Sequence, residues 1–167
     1  MKDSFTIVSY RPELAPAFRR LNQEWIERLF AIEPADLKVL DDPEGSIIAP
    51  GGQIFFAMCD GEAIGTAAAI RYSPARYELA KMAVARAYQG QGLGRRLGEA
   101  VIAFAREAGA GTLFLLTNSR LAGAIHLYEQ LGFRHVPLPP ATDYARADVH
   151  MELSLRASGT VEAPKAS

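Results

Sequence analysis

The chain has 167 residues, 49% of them apolar and 22% charged, with a formal net charge of −1. That is the size and balance of one soluble globular domain with a real core, and the missing basic excess excludes a general nucleic-acid binder. No apolar run is long enough to span a bilayer, the N-terminal residues lack a signal-peptide core, and Cys59 is the only cysteine, so a cytoplasmic protein with no membrane attachment and no intrachain disulfide is expected.

SFTIVSY (4–10) is rich in β-branched and aromatic residues and predicts a first strand. Pro12 suits the first turn of a helix, along which Leu14, Phe18, Leu21, Trp25, Ile26 and Leu29 recur at helical spacing to about Phe30. A second short helix is expected from Pro34 to Asp42, and EGSIIAPGGQ (44–53) reads as a loop. IFFAMC (54–59) and EAIGTAAAIRY (62–72) flank Asp60-Gly61, a two-residue hairpin signal. The apolar run around Cys59 marks a buried, inert thiol rather than a nucleophile. YELAKMAVA (77–85) predicts another strand after a turn at Ser73-Pro74.

Beyond a glycine-rich stretch, Leu93, Leu97, Val101, Phe104, Ala105 and Ala108 form one helical stripe, closed by Gly109 and Gly111. TLFLLT (112–117) is a continuous apolar run and predicts a buried strand. AGAIHLYEQL (122–131) predicts a helix stopped at Gly132, RHVPL (134–138) begins a strand, and ADVHMELSL (147–155) alternates as a last one. The order βααβββαβαββ implies one α/β (α+β) domain over residues 1–156, a mixed sheet flanked by helices. A disordered tail is expected over 157–167.

The informative stretch is MAVARAYQGQGLGRRLGEAV (82–101), where Gly90, Gly92 and Gly94 stand at alternate positions before an otherwise good helix. Glycine in a helix costs roughly 1 kcal/mol relative to alanine, so three of them need a reason. Between a strand and a helix, glycines permit positive φ and close approach, and helix N-terminal amides can converge on an anion. The stretch therefore reads as a diphosphate cradle, with Arg95 and Arg96 adding positive charge. A nucleotide P-loop would need Lys-Ser/Thr after the last glycine, and a dinucleotide site G-x-G-x-x-G within a parallel βαβ unit; neither spacing is present.

QGQGLG (89–94) resembles the Q/R-x-x-G-x-G/A signature of the GNAT superfamily of N-acetyltransferases, which binds the pyrophosphate of coenzyme A. ELAKMAV (78–84) resembles that family's cofactor-contacting strand, and AIHLYEQLGFR (124–134) its A-x-x-L-Y-E-x-x-G-F motif. The likeness extends over nearly the whole chain and implies a GNAT-like fold with a mostly antiparallel sheet. It also implies acetyl transfer from acetyl-CoA to a small-molecule or peptide amine. The backbone of Met82, Ala83 and Val84 would meet the pantetheine arm and the thioester, and Gln89, Gly90, Gln91, Gly92, Leu93, Gly94 and Arg95 the diphosphate.

The resemblance assigns Tyr128 as the acid that protonates the leaving thiolate and Glu78 as the general base. Glu78 can equally be read as an exposed strand residue or an ion pair with Lys81; for Tyr128 a core tyrosine is the weaker alternative. Strict alternation puts Lys81 on the face opposite Glu78, a structural position that a bulge would change. Asn118 departs from the family pattern, standing six residues before Ala124 rather than three, and is expected to cap the following helix or touch the cofactor. Trp25, Arg28 and Phe30 on one side, and Tyr144 and Arg146 on the other, are the candidate acceptor contacts. If Arg28 or Arg146 faces the cleft, an amine carrying a carboxylate becomes attractive. His126, His135 and His150 lack metal-ligand spacing, so no metal is expected. A second copy of the chain is a candidate partner. A non-catalytic acyl-CoA-sensing module would keep the cradle and lose the acid and base; Glu78 and Tyr128 favour the enzyme.

Overall fold

A computed structural model describes residues 4–156. The expected disordered tail, 157–167, lies outside the described residues. The seven strands are β1 (Thr6–Ser9), β2 (Gln53–Cys59), β3 (Glu62–Ser73), β4 (Arg76–Val84), β5 (Thr112–Thr117), β6 (Arg134–Val136) and β7 (Val149–Ser154). They form one sheet in the order β1-β2-β3-β4-β5-β7-β6, antiparallel throughout except for β4 against β5. Four helices cover it: α1 (Ala15–Leu29), α2 (Pro34–Asp41), α3 (Leu93–Glu107) and α4 (Ala122–Gln130). The element order βααβββαβαββ is the one the sequence predicts.

Burial on both faces explains the near-continuous apolar character of β2 and β3. Ala67 and Ala69 pack with Leu93, Leu97, Val101 and Ala105 of α3, whereas Ala68 between them packs with Phe18, Leu21 and Leu40 of α1 and α2. The β2–β3 hairpin turns through Asp60 (φ 51°) and Gly61 (φ 80°), the pair of positive φ values that such a tight turn requires. Two sequence expectations need correction. Residues Glu44–Ile48 form a helical turn rather than loop, closed by the Ala49 amide on the Glu44 carbonyl at 2.8 Å and anchored by Ile47, which is buried in the core beneath α1 and α2. The helix expected from Pro12 begins instead with a tight turn, Pro12–Leu14, before α1 proper. Among the described residues, no helix is long and apolar enough to cross a membrane.

Candidate active site

The parallel pairing of β4 with β5 covers only Arg76–Glu78 against Thr112–Phe114. Beyond Glu78 and Phe114 the strands run on, β4 to Val84 and β5 to Thr117, without pairing to each other. Where they part, a cleft of about 830 Å³ opens, walled by β4, the start of α3, α4 and the loop before β7. That volume lies within the usual range for a small-molecule site. Every predicted site residue lines it except Gln91, which is exposed to solvent, and Arg96, whose guanidinium lies 5.1 Å over the Phe5 ring instead of adding charge to the cradle.

The wall beside the glycine loop is built mainly from backbone. Ala85 donates to the Ile64 carbonyl of β3, so strand alternation turns Val84 to the open edge of β4, where Gln89 Nε2 donates to its carbonyl at 3.2 Å. Gly90 (φ 81°) and Gly92 (φ 84°) both take left-handed backbone, and a Cβ on either would meet no atom within 4 Å. Open space therefore stands over the loop. Gly92 is the residue preceding α3, whose first amides have no partner within the helix and are oriented to hold an anion. Gly94 has a different reason: its Cβ would lie 3.1 Å from Leu127 Cδ2 of α4. It lets α4 seat closely on α3 one residue from Tyr128. Arg95 is exposed and pairs with Glu99 at 3.3 Å.

Two buried ionisable groups line the cleft without a hydrogen-bond partner among the described residues. Glu78 is only 8% exposed, and burial pushes its carboxyl up to about 7, against the pull of the Lys81 ammonium. It forms no ion pair with Lys81. Tyr128 is buried on α4, edge-on to Phe133 with ring centroids 6.0 Å apart, and burial pushes its phenol up to about 12. The phenol stays protonated near neutral pH, while Glu78 can exchange a proton there.

The acceptor end differs from expectation. A bulge opposes Lys81 and Met82 to one residue of β3, with Lys81 at φ 56°, and turns Lys81 into the cleft rather than onto the opposite face. Its ammonium donates to Asp36 Oδ1 at 2.6 Å and to the Tyr144 hydroxyl at 3.0 Å. Arg146 lines the cleft but is committed: its guanidinium bonds both Asp36 oxygens, at 2.9 and 2.7 Å, and reaches Glu33 at 3.3 Å. Asp36 is fully buried. Burial alone would raise its carboxyl, but the bonds from Arg146, Lys81 and the Glu33 amide outweigh that and hold it at about 2.

Asn118 does not cap α4. Its Oδ1 accepts from the Arg120 amide at 2.8 Å and its Nδ2 donates to the Arg146 carbonyl at 2.7 Å, tying two loops together at the cleft wall. Leu121 precedes α4 and makes no side-chain cap, and Ser119 bonds Asp148 instead. Trp25 packs edge-on to Phe30 at 6.3 Å and donates to Asn22, while Arg28 stands exposed at the mouth with no ion-pair partner among the described residues. The sequence reading missed Asp36, Lys81 and Arg120 as site residues. Arg120 lines the cleft with its guanidinium 4.9 Å over the Phe30 ring. Among the described residues, no group of three or more metal-ligating side chains comes together.

Residues 14–133 match the Acetyltransferase (GNAT) family, and the chain belongs to that family of acetyl-CoA-dependent acyltransferases. N-acetylaspartate synthetase of Rattus norvegicus is 34% identical over 88 residues, 52% of this chain but only 29% of that protein. N-alpha-acetyltransferase RimI of Mycobacterium tuberculosis is 33% identical over 113 residues, 62% of this chain and 70% of its own. A putative acetyltransferase of Salmonella typhimurium, solved with its cofactor acetyl-CoA, superposes with a TM-score of 0.73 at 23% identity, covering 98% of this chain and 99% of that one. That neighbour's cofactor is acetyl-CoA, and no metal-binding group stands among the described residues of this chain.

Proposed function

We propose that the protein moves the acetyl group of acetyl-CoA to a primary amine by direct attack in a ternary complex, with Glu78 as general base and Tyr128 as general acid. The observation that carries this reading is a buried carboxyl and a buried phenol, neither hydrogen-bonded to a described residue, lining one cleft beside the glycine cradle. Acetyl-CoA supplies an activated thioester. An amine with a pKa near 10 arrives protonated, and only its neutral form attacks. Glu78, ionised above about 7, accepts that proton directly or through one water. Amides at the open edge of β4 stabilise the charge that develops on the carbonyl oxygen. Tyr128 then donates to the departing sulfur.

The acceptor we favour carries a carboxylate. Of the cations toward the acceptor end, Lys81 and Arg146 are committed to Asp36, and Arg120 lies against Phe30; Arg28 is left to meet an anion. One relative is named for N-acetylaspartate, an acetylated amino acid, which agrees with this preference. We place the reaction in the cytoplasm and treat residues 1–156 as one catalytic domain. The test is Glu78→Gln, assayed by thiol release over a panel of amino acids, dipeptides and uncharged amines. In the wild type, kcat/KM should rise with pH through about 7 as the base ionises. In the variant the rate should fall, and its pH dependence should follow the acceptor's own pKa, with acetyl-CoA affinity unchanged. An unaltered profile removes Glu78 as base.

A further inference from the structure

Lys81 is the residue the acetyl-transfer scheme leaves unused, yet the fold spends most on placing it. It sits in left-handed backbone without being glycine, at a bulge that interrupts the β3–β4 ladder. Such a conformation persists only where the surroundings over-determine it. The determinants here are Asp36 from α2, at 2.6 Å, and the Tyr144 hydroxyl from the loop before β7, at 3.0 Å, with the ammonium also 4.4 Å from the Tyr144 ring centroid. The ammonium is nearly buried and Asp36 fully so.

The same carboxylate holds Arg146, and Glu33 accepts from the Ala145 amide at 2.8 Å. The loop is therefore fastened at Ala145 and Arg146 to the N-terminal turn of α2, and at Tyr144 to Lys81 of β4. Within the cluster, two cations (Lys81 and Arg146) face two carboxylates (Asp36 and Glu33), so the ion pairs balance. Glu78 stands outside that balance, three residues before Lys81. The other groups that act on it are Arg76 of the same strand, Tyr72 of β3, and Asp143 and Tyr144 of the loop. Arg76 is already paired with Glu152 of β7 at 2.9 Å, and Asp143 opposes ionisation. Lys81 is the strongest influence favouring the carboxylate, and burial is what it works against.

We propose that Lys81 is a positioning residue for the transfer: held by Asp36, its ammonium fastens the Tyr144 loop over the acceptor end of the cleft and stands as counter-charge to Glu78. The inference rests on Glu78 serving as the base. Replacing Lys81 should leave Glu78 protonated to higher pH and loosen the loop at once, two effects that a packing role would not produce together.

The experiment needs no acceptor. Protein labelled with glutamate ¹³C-enriched at the side-chain carboxyl is titrated by NMR, with the Glu78 resonance assigned by its loss in Glu78→Gln. Lys81→Gln keeps hydrogen-bond donors toward Asp36 and Tyr144 but discards the charge, and Lys81→Met discards both. The Glu78 midpoint should rise by about one pH unit in each. The acidic limb of kcat/KM, measured with the fastest amine of the panel, should follow it. Amide exchange over residues 143–147 should quicken at least tenfold in Lys81→Met and less in Lys81→Gln. Tyr144→Phe, which leaves every charge in place, should quicken the loop without moving the midpoint. A folded Lys81→Gln protein with the wild-type midpoint overturns the proposal, as does unchanged loop exchange in Tyr144→Phe and Lys81→Met. If Glu78→Gln keeps the wild-type kinetic limb while the midpoint still moves, the base assignment fails and not the electrostatic one.

Discussion

The two ends of the cleft are built from different materials. At the end proposed for the cofactor the groups on offer are backbone: the open edge of β4, the left-handed loop at Gly90 and Gly92, and the first amides of α3. At the acceptor end they are side chains brought from afar, Asp36 meeting Lys81 across 45 residues and Arg146 across 110. A backbone site depends on conformation and tolerates many side chains around it. A side-chain site depends on each partner's identity. The contrast predicts that substitutions at the cofactor end act through space and charge at one locus, whereas those at the acceptor end propagate through shared partners.

Tyr128 bridges the two regimes, because α4 carries it to the cleft while the close approach at Gly94 sets where α4 lies. Tyr128→Phe removes one oxygen that makes no hydrogen bond to a described residue, so packing and acetyl-CoA affinity should survive. Turnover should fall about 10- to 1000-fold, as for loss of one positioned acid. Wild-type turnover in a folded variant would make Tyr128 a core residue and leave the thiolate to depart unaided.

The contrast also explains what was legible in the sequence. The cradle expected over residues 89–95 is suggested by local glycine spacing alone, whereas Tyr128 stands out through the resemblance of AIHLYEQLGFR to the family motif. The element order was legible for the same reason, since each periodic run carries its own turn signals. The ion cluster was not. Asp36 follows Pro34 in a helix N-terminus, where an acidic residue reads as an ordinary cap, and nothing local tells that it is fully buried. Lys81 was assigned to the wrong face because alternation assumes an unbroken ladder, and a bulge is set by both strands together. Arg146 is a candidate acceptor contact in the sequence, because its partners Glu33 and Asp36, at the N-terminal end of α2, lie far from it along the chain.

Glu78 offers a thermodynamic test of how much the acceptor end costs the fold. Its carboxyl sits at about 7 in the folded protein against an ordinary 4.5, so the folded state holds the proton over a range where the unfolded chain has lost it. Stability must then fall as pH rises from about 4.5 to 7, by roughly 3 kcal/mol in all, and level off above. Glu78→Gln cannot titrate and escapes that loss. Urea unfolding should show the variant close to wild type at pH 4.5 and more stable by up to about 3 kcal/mol at pH 8. Equal stability at both pH values would mean that Glu78 pays no desolvation penalty.

The smallest effects should separate backbone from side chain at the cofactor end. Gly92→Asp puts a carboxylate into the open space over the loop, and calorimetry should find acetyl-CoA binding weakened at least tenfold. Gly61→Asp supplies the control: φ is 80° there against 84° at Gly92, and a Cβ is equally unobstructed, so the conformational strain is matched far from the cleft. Its affinity should stay at wild type. Arg95→Ala should cost less than Gly92→Asp, about two- to fivefold, because the guanidinium is exposed and already shared with Glu99. The Arg95 effect should also shrink between low salt and 0.5 M salt, where charges more than about 5 Å apart in solvent are screened. The contribution of the α3 amides should persist, since directed hydrogen bonds at contact distance are screened far less. If Arg95→Ala instead matched the loss in Gly92→Asp and kept it at high salt, the diphosphate would be held chiefly by a side chain, and the cofactor end would be built like the acceptor end after all.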